Sequence, residues 1–126
     1  MKVLFADDDV VLHRVLGHRL SREGFTLQSA YNGREALELA EREAPDLLIL
    51  DGMMPELDGF AVLQEWKRRP GLASIPVIML TARNREGDVI GALEQGAVDY
   101  LTKPFSPAEL IARIRRFIQP QSPSSP

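Results

Sequence analysis

Five short runs dominated by Val, Ile, Leu and Phe recur along the chain: VLFA at 3–6, TLQSA at 26–30, LLIL at 47–50, VIML at 77–80 and YLT at 100–102. Their length and side-chain type predict strands. The segments between them carry apolar residues at helical spacing: Leu12, Val15, Leu16 and Leu20; Ala36, Leu37, Leu39 and Ala40; Phe60, Leu63 and Trp66; Val89, Ile90 and Leu93; Leu110, Ile111, Ile114, Phe117 and Ile118. Punctuation agrees with these limits. Gly24, Pro45, Pro70-Gly71 and Gly96 close the first four helices, while Asp58 and Ser106 are placed to cap the third and fifth. Strand and helix thus alternate five times, which implies an α/β fold: a parallel sheet whose right-handed crossovers put helices on both faces. LLIL and VIML, apolar throughout, suit central strands buried on both sides.

The chain has 126 residues, enough for one domain with a real core. Its last eight residues, QPQSPSSP, lack the apolar surface to fold and read as a tail or linker, so the domain is expected over 1–118 and the tail over 119–126. A net charge of −3 lacks the basic excess of a nucleic-acid binder, and no direct DNA contact is expected. The absence of cysteine excludes a disulfide framework and a thiolate metal site. No apolar run is long enough to span a bilayer, and three aspartates interrupt the stretch that a secretion signal would need, so a cytoplasmic chain without membrane contact is expected.

In an open parallel sheet, ligands bind beyond the carboxyl ends of the strands. Asp7, Asp8 and Asp9 follow the first predicted strand, Asp51 the third, Thr81 the fourth and Lys103 the fifth. Each has an ordinary reading alone: a helix cap, a turn, a strand-end threonine, a surface lysine. Four strand ends delivering polar groups at one register outweigh those readings. Converging carboxylates raise one another's pKa unless a cation compensates, and Mg2+ takes oxygen ligands through one or two carboxylates together with phosphate oxygens. Two carboxylates holding the ion would leave Asp51 free to attack as the nucleophile of an aspartyl-phosphate. Lys103 would balance charge on the phosphoryl oxygens and Thr81 would donate a hydrogen bond to one of them.

The segments LFADDD, LLILDGMMPELDGF, VIMLTAR and DYLTKPFSPAEL, in this order and spacing, resemble the receiver domain of two-component response regulators over residues 2–118. The resemblance implies a flavodoxin-like (βα)5 fold with strand order 2-1-3-4-5. It implies phosphorylation of Asp51 by a histidine kinase or phosphotransfer protein, with Asp7 and Asp8 as the acidic pair of a Mg2+ site. Asp8, Asp51 and the backbone carbonyl of Met53 would be direct ligands. Thr81 and Tyr100 would take the switch positions, and the Lys103-Pro104 peptide would be cis. The phrase KPFSPAELIARIRR further resembles receivers of winged-helix transcription factors, which implies a phosphorylation-dependent dimer through Ile90, Leu93, Asp99, Glu109 and Arg113. Two positions depart from that class: Val89 stands where a basic residue is expected, and Val98 where an acidic one is.

An aspartate-nucleophile phosphatase of the dehalogenase type would share the plan and the metal. It needs a proton-transferring aspartate two residues after the nucleophile, where this chain has Met53. Activity is therefore expected to stop at self-catalysed phosphotransfer and autodephosphorylation, with Met53 and Arg83 shielding the phosphoryl group. A degenerate receiver acting only as an interaction module would not keep the acidic, threonine and lysine positions together. Output is expected either by docking protein partners as a stand-alone receiver or as the receiver part of a transcriptional regulator. His13 and His18 read as solvated or partly packed helix residues, and Arg113, Arg115 and Arg116 as a solvated helical face.

Overall fold

A computed structural model describes residues 1–54, 58–81 and 93–119. The strands are β1 (Lys2–Ala6), β2 (Thr26–Ala30), β3 (Leu47–Asp51), β4 (Val77–Thr81) and β5 (Asp99–Thr102), and the helices α1 (Val10–Arg22), α2 (Gly33–Arg42), α3 (Gly59–Arg68) and α4 (Pro107–Arg115). All strand pairings are parallel, in the order β2-β1-β3-β4-β5. This is the flavodoxin-like order expected from the sequence. The fourth anticipated helix lies outside the described residues except for Leu93 and Glu94, which are helical, so α4 here is the fifth of the sequence reading.

Alternate strand residues divide the core into two layers. Leu4, Ala6, Leu48, Leu50, Val77 and Met79 pack with α2 and α3 around the buried Trp66, whereas Val3, Phe5, Leu47, Ile49, Ile78 and Leu80 pack with α1 and α4. Both faces of β3 and β4 are covered, which is why their sequences are continuously apolar.

Local chemistry sets the helix limits. Asp9 caps α1 by accepting the Leu12 N–H at 3.1 Å, Asp58 caps α3 at Ala61, and Ser106 caps α4 at Glu109 with Pro107 opening the helix. Asn32 does the same for α2 at 2.8 Å. Gly24 and Gly96, with φ of 91° and 102°, occupy the left-handed region that favours glycine.

Four details differ from the sequence reading. Asp51 and Thr81 are the last residues of their strands rather than the first beyond them. Val15 is 48% exposed, and the inward stripe of α1 runs through His13, Leu16 and Leu20, making His13 a fully packed core residue rather than a solvated or partly packed one. The last helix ends at Arg115, with Phe117 exposed and Ile118 joined to Ile114 by a backbone hydrogen bond. Of the arginines at the end of the chain's last helix, Arg113 is half-buried against Asp99, while Arg115 and Arg116 stay exposed, 3.5 Å from Glu23 and 3.8 Å from Asp99.

Candidate functional site: an acidic pocket at the carboxyl edge

The sheet register brings the site together. Ala6 pairs with Leu50 and Asp51 with Leu80, so the chain leaves β1 at Asp7 directly beside the end of β3. Thr81 pairs with Thr102, which places Lys103 next to Thr81 across the β4–β5 edge, and the Lys103 N–H donates to the Thr81 carbonyl at 2.8 Å. Asp7 and Lys103, 96 positions apart, meet because the parallel strands from β1 to β5 end at the same level.

Asp7, Asp8 and Asp51 each offer a carboxylate oxygen, all within 4.8 Å of one another; Asp7 and Asp51 are buried and Asp8 is exposed. Lys103 Nζ lies 2.8 Å from Asp7 Oδ2 and 3.4 Å from Asp51 Oδ2. The Asp7 Oδ1 accepts the Asp9 N–H at 2.9 Å, and Asp51 Oδ1 accepts the Met53 N–H at 3.1 Å. The Thr81 hydroxyl is buried with no hydrogen-bond partner among the described residues, an uncommon state for such a group. An open cleft of about 560 Å³ lies against these groups, lined by Asp8, Asp51, Met53 and Lys103 together with Leu12 and Phe105. The Lys103-Pro104 peptide at its rim is cis.

Burial pushes the Asp51 carboxyl above its usual range, and the neighbouring charge of Asp7 adds to this. The Met53 N–H and the Lys103 ammonium oppose the shift without cancelling it. Burial disfavours the Lys103 ammonium too, but its hydrogen bond to Asp7 and the charges of Asp51 and Asp7 outweigh that cost and hold its pKa above the ordinary value. Three carboxylates against one ammonium leave the pocket two charges negative when all are ionised. Clustered oxygen donors with uncompensated negative charge fit a hard divalent cation, and Mg2+ in particular. Asp8, exposed beside the two buried carboxylates, is the side chain most accessible to an incoming ion.

These shifts fix a prediction. Because the folded-state pKa of Asp51 is raised, its ionisation costs stability, and the metal-free protein loses stability as pH rises from the ordinary carboxylate value through that pKa. Asp51→Asn is therefore expected to raise the unfolding midpoint of the metal-free chain at neutral pH, with the gain vanishing at acid pH, where both states of the wild type are protonated. Mg2+ at a hundredfold excess over its Kd is expected to stabilise the wild type by about 2.7 kcal/mol. Thermal melts with Mg2+ and with a chelator, across pH, check both.

The remaining anticipated residues lie elsewhere. Tyr100 is half-buried against the α2/α3 layer, and its N–H donates to Asp99 Oδ1. Asp99 holds Arg113 Nη1 at 2.9 and 3.0 Å from its two oxygens, Glu109 lies 3.9 Å from Arg113 Nη2, and Leu93 is exposed. The proposed dimer residues Asp99, Glu109 and Arg113 are thus already paired within one chain. Arg83, Val89 and Ile90 lie outside the described residues.

Two contributors were not assigned to the site from the sequence. Gly59 lets α3 start against the backbone of Asp51, where a Cβ would lie 2.2 Å from the Asp51 carbonyl oxygen. His13 reaches the Asp7 carbonyl at 2.8 Å through Nε2. The available signal was a polar residue on the apolar stripe of α1.

Comparison with known proteins agrees with this arrangement. The family model described as response regulator receiver domain matches residues 3–115. The probable transcriptional regulator ycf27 of Porphyridium aerugineum is 48% identical over 118 residues, covering 94% of this chain and 48% of that protein. The alkaline phosphatase synthesis transcriptional regulatory protein PhoP of Bacillus subtilis (strain 168) is 40% identical over 125 residues, covering 99% of this chain and 51% of that protein. The chain therefore spans about half the length of the curated relatives it matches. Among solved structures, a putative response regulator from Chloroflexus aurantiacus J-10-fl superimposes with a TM-score of 0.87 at 34% identity, covering 92% of this chain and 95% of that one. The chemotaxis protein CheY4 of Vibrio cholerae gives a TM-score of 0.87 at 30% identity, covering 93% and 98%. With the carboxylate cluster, the lysine and the strand order all in register, the chain belongs to the response regulator receiver domains of two-component systems.

Proposed function

We propose that the chain is a phosphorylation-controlled switch in which Asp51 accepts a phosphoryl group from the phosphohistidine of a histidine kinase or phosphotransfer protein. The observation that carries this reading is the environment of Asp51. The residue is 4% exposed, and its carboxylate has one oxygen held by the Met53 N–H and the other facing Lys103 at 3.4 Å, and borders the open cleft. In the transfer, an Asp51 oxygen forms a bond to phosphorus while the P–N bond to the donor imidazole breaks, and the electron pair leaves with the imidazole, which takes up a proton. Lys103 would meet the transferred oxygens as an ammonium. The Thr81 hydroxyl, buried without a hydrogen-bond partner among the described residues, would donate to one of these oxygens.

Mg2+ at Asp7, Asp8 and Asp51, with the Met53 carbonyl as a further ligand, would neutralise charge and orient the phosphoryl oxygens. The side chain two residues after Asp51 is Met53, which has no proton to give, so turnover of external phosphate esters is not part of this reading. Residues 1–118 would form the receiver unit and 119–126 a tail, working in the cytoplasm. Among the described residues no helix is long and apolar enough to cross a membrane.

Output would pass from Thr81 through Tyr100 to the face built by the segment around Ile90 and Leu93, β5 and α4, controlling partner docking or dimerisation. The named relatives that are transcriptional regulators extend well beyond the matched region, and this favours a dimerising receiver as the output reading. Formation of that dimer would exchange the internal Asp99–Arg113 pair for contacts between chains. The test of the switch is incubation with a small-molecule phosphodonor and Mg2+, followed by intact mass and sedimentation. One acid-labile phosphoryl group per chain is expected, dependent on Mg2+; no adduct, or several, would contradict the proposal.

A further inference from the structure

We propose that His13 is a positioning residue of the acidic pocket: from inside α1 it fixes the peptide joining Asp7 to Asp8 in the orientation that receives the metal ion, with Ser29 anchoring the opposite ring nitrogen. This rests on the reading of Asp7, Asp8 and Asp51 as the Mg2+ site. His13 Nε2 lies 2.8 Å from the Asp7 carbonyl oxygen, and Nδ1 lies 2.9 Å from the Ser29 hydroxyl. A carbonyl can only accept, so Nε2 carries the hydrogen. The neutral ring has one N–H, which leaves Nδ1 to accept from Ser29.

The ring is only 3% exposed and lies between two aromatic side chains, with centroid distances of 4.5 Å to Phe5 and 4.4 Å to Tyr31. Its direction is therefore set by packing as well as by hydrogen bonds. The carbonyl that it holds belongs to the peptide unit between the buried and the exposed aspartate, so this bond helps to set where Asp8 stands beyond the strand. On the other side of Asp7, its N–H donates to the Ala30 carbonyl at 3.1 Å, next in sequence to Ser29. The β1–α1 turn is thus clamped from β2 and from α1 while Asp8 and Asp9 line the cleft. A leucine would continue the Leu16–Leu20 stripe without the desolvation cost of an imidazole.

Groups that orient metal ligands from behind typically change affinity 10- to 100-fold when removed. The test measures Mg2+ binding by calorimetry in the wild type, His13→Leu, His13→Gln and Ser29→Ala, with amide NMR spectra and metal-free unfolding midpoints for each. His13→Leu is expected to weaken Mg2+ binding about tenfold and to shift the Asp8 and Asp9 amides before any metal is added. His13→Gln, which keeps an N–H donor, is expected to recover most of the affinity, and Ser29→Ala to lose a smaller part of it. A His13→Leu chain with a lowered midpoint but wild-type Mg2+ affinity would mean that the imidazole only satisfies a buried carbonyl, and would overturn the inference. If that variant does not fold, unchanged affinity and unchanged Asp8 and Asp9 amides in Ser29→Ala overturn it equally. A wild-type chain that binds no Mg2+, or binds it undiminished after Asp8→Ala, overturns the metal-site reading itself and this inference with it.

Discussion

Asp51→Asn is expected to reduce phosphoryl incorporation to background while the chain stays folded. The amide keeps the shape of the carboxylate and can still accept the Met53 N–H, but it lacks the anionic oxygen that attacks phosphorus. Neither neighbour can replace it. Asp7 is fully buried and does not line the cleft, whereas Asp51 does. Asp8 is exposed and, among the described residues, has no ammonium paired with it as Lys103 is with Asp51. Since the substitution also removes a buried negative charge, the variant is expected to melt no lower than the wild type without Mg2+, so that lost incorporation cannot be attributed to unfolding. Intact mass after phosphodonor treatment, with a thermal melt of the same sample, reads both quantities.

Gly59→Ala is expected to destabilise the fold by about 3 kcal/mol, the upper end of the range for overpacking. An added Cβ would lie 2.2 Å from the Asp51 carbonyl oxygen, 2.8 Å from Gly52 Cα and 2.9 Å from the Asp51 carbonyl carbon. All three are backbone atoms of the β3 end, so no side-chain rotation relieves the contact; α3 must move away or the strand end must shift. Either outcome displaces Asp51, and phosphoryl incorporation in the surviving folded fraction is expected to fall as well. Gly71 provides the control, because a Cβ there meets nothing within 4 Å. Gly71→Ala is expected to be neutral or slightly stabilising, by up to about 1 kcal/mol, through a less flexible unfolded chain. Urea denaturation of the three proteins distinguishes a local steric requirement from a general intolerance of alanine.

The parts of the fold legible in the sequence were those in which one physical demand acts on consecutive residues. Strands covered on both faces must be apolar at every position, so LLIL and VIML stood out, and caps are read locally as a polar residue before a periodic run. The acidic pocket was legible for a different reason: parallel strands end at a common edge, so polar residues terminating several of them must meet. Contacts between elements distant in sequence left no such mark. The pairing of Arg113 with Asp99 depends on the height at which α4 crosses β5, and that of Arg115 with Glu23 on how α4 lies beside α1. The full burial of His13 left no mark because its hydrogen bonds reach a backbone carbonyl and a serine on a strand, neither of which helical periodicity can identify. Val15 was assigned inward because it is apolar, although the stripe of α1 passes through the histidine instead.

The central claim is that Asp51 forms the acyl phosphate. The direct measurement is to phosphorylate the chain with a small phosphodonor and Mg2+, reduce the adduct with borohydride, which converts an aspartyl phosphate to homoserine, and map the conversion by peptide mass spectrometry. Homoserine at position 51 alone, dependent on both phosphodonor and Mg2+, is the predicted result. Homoserine at position 7 or 8 instead, or conversion at 51 that persists without the phosphodonor, would contradict it.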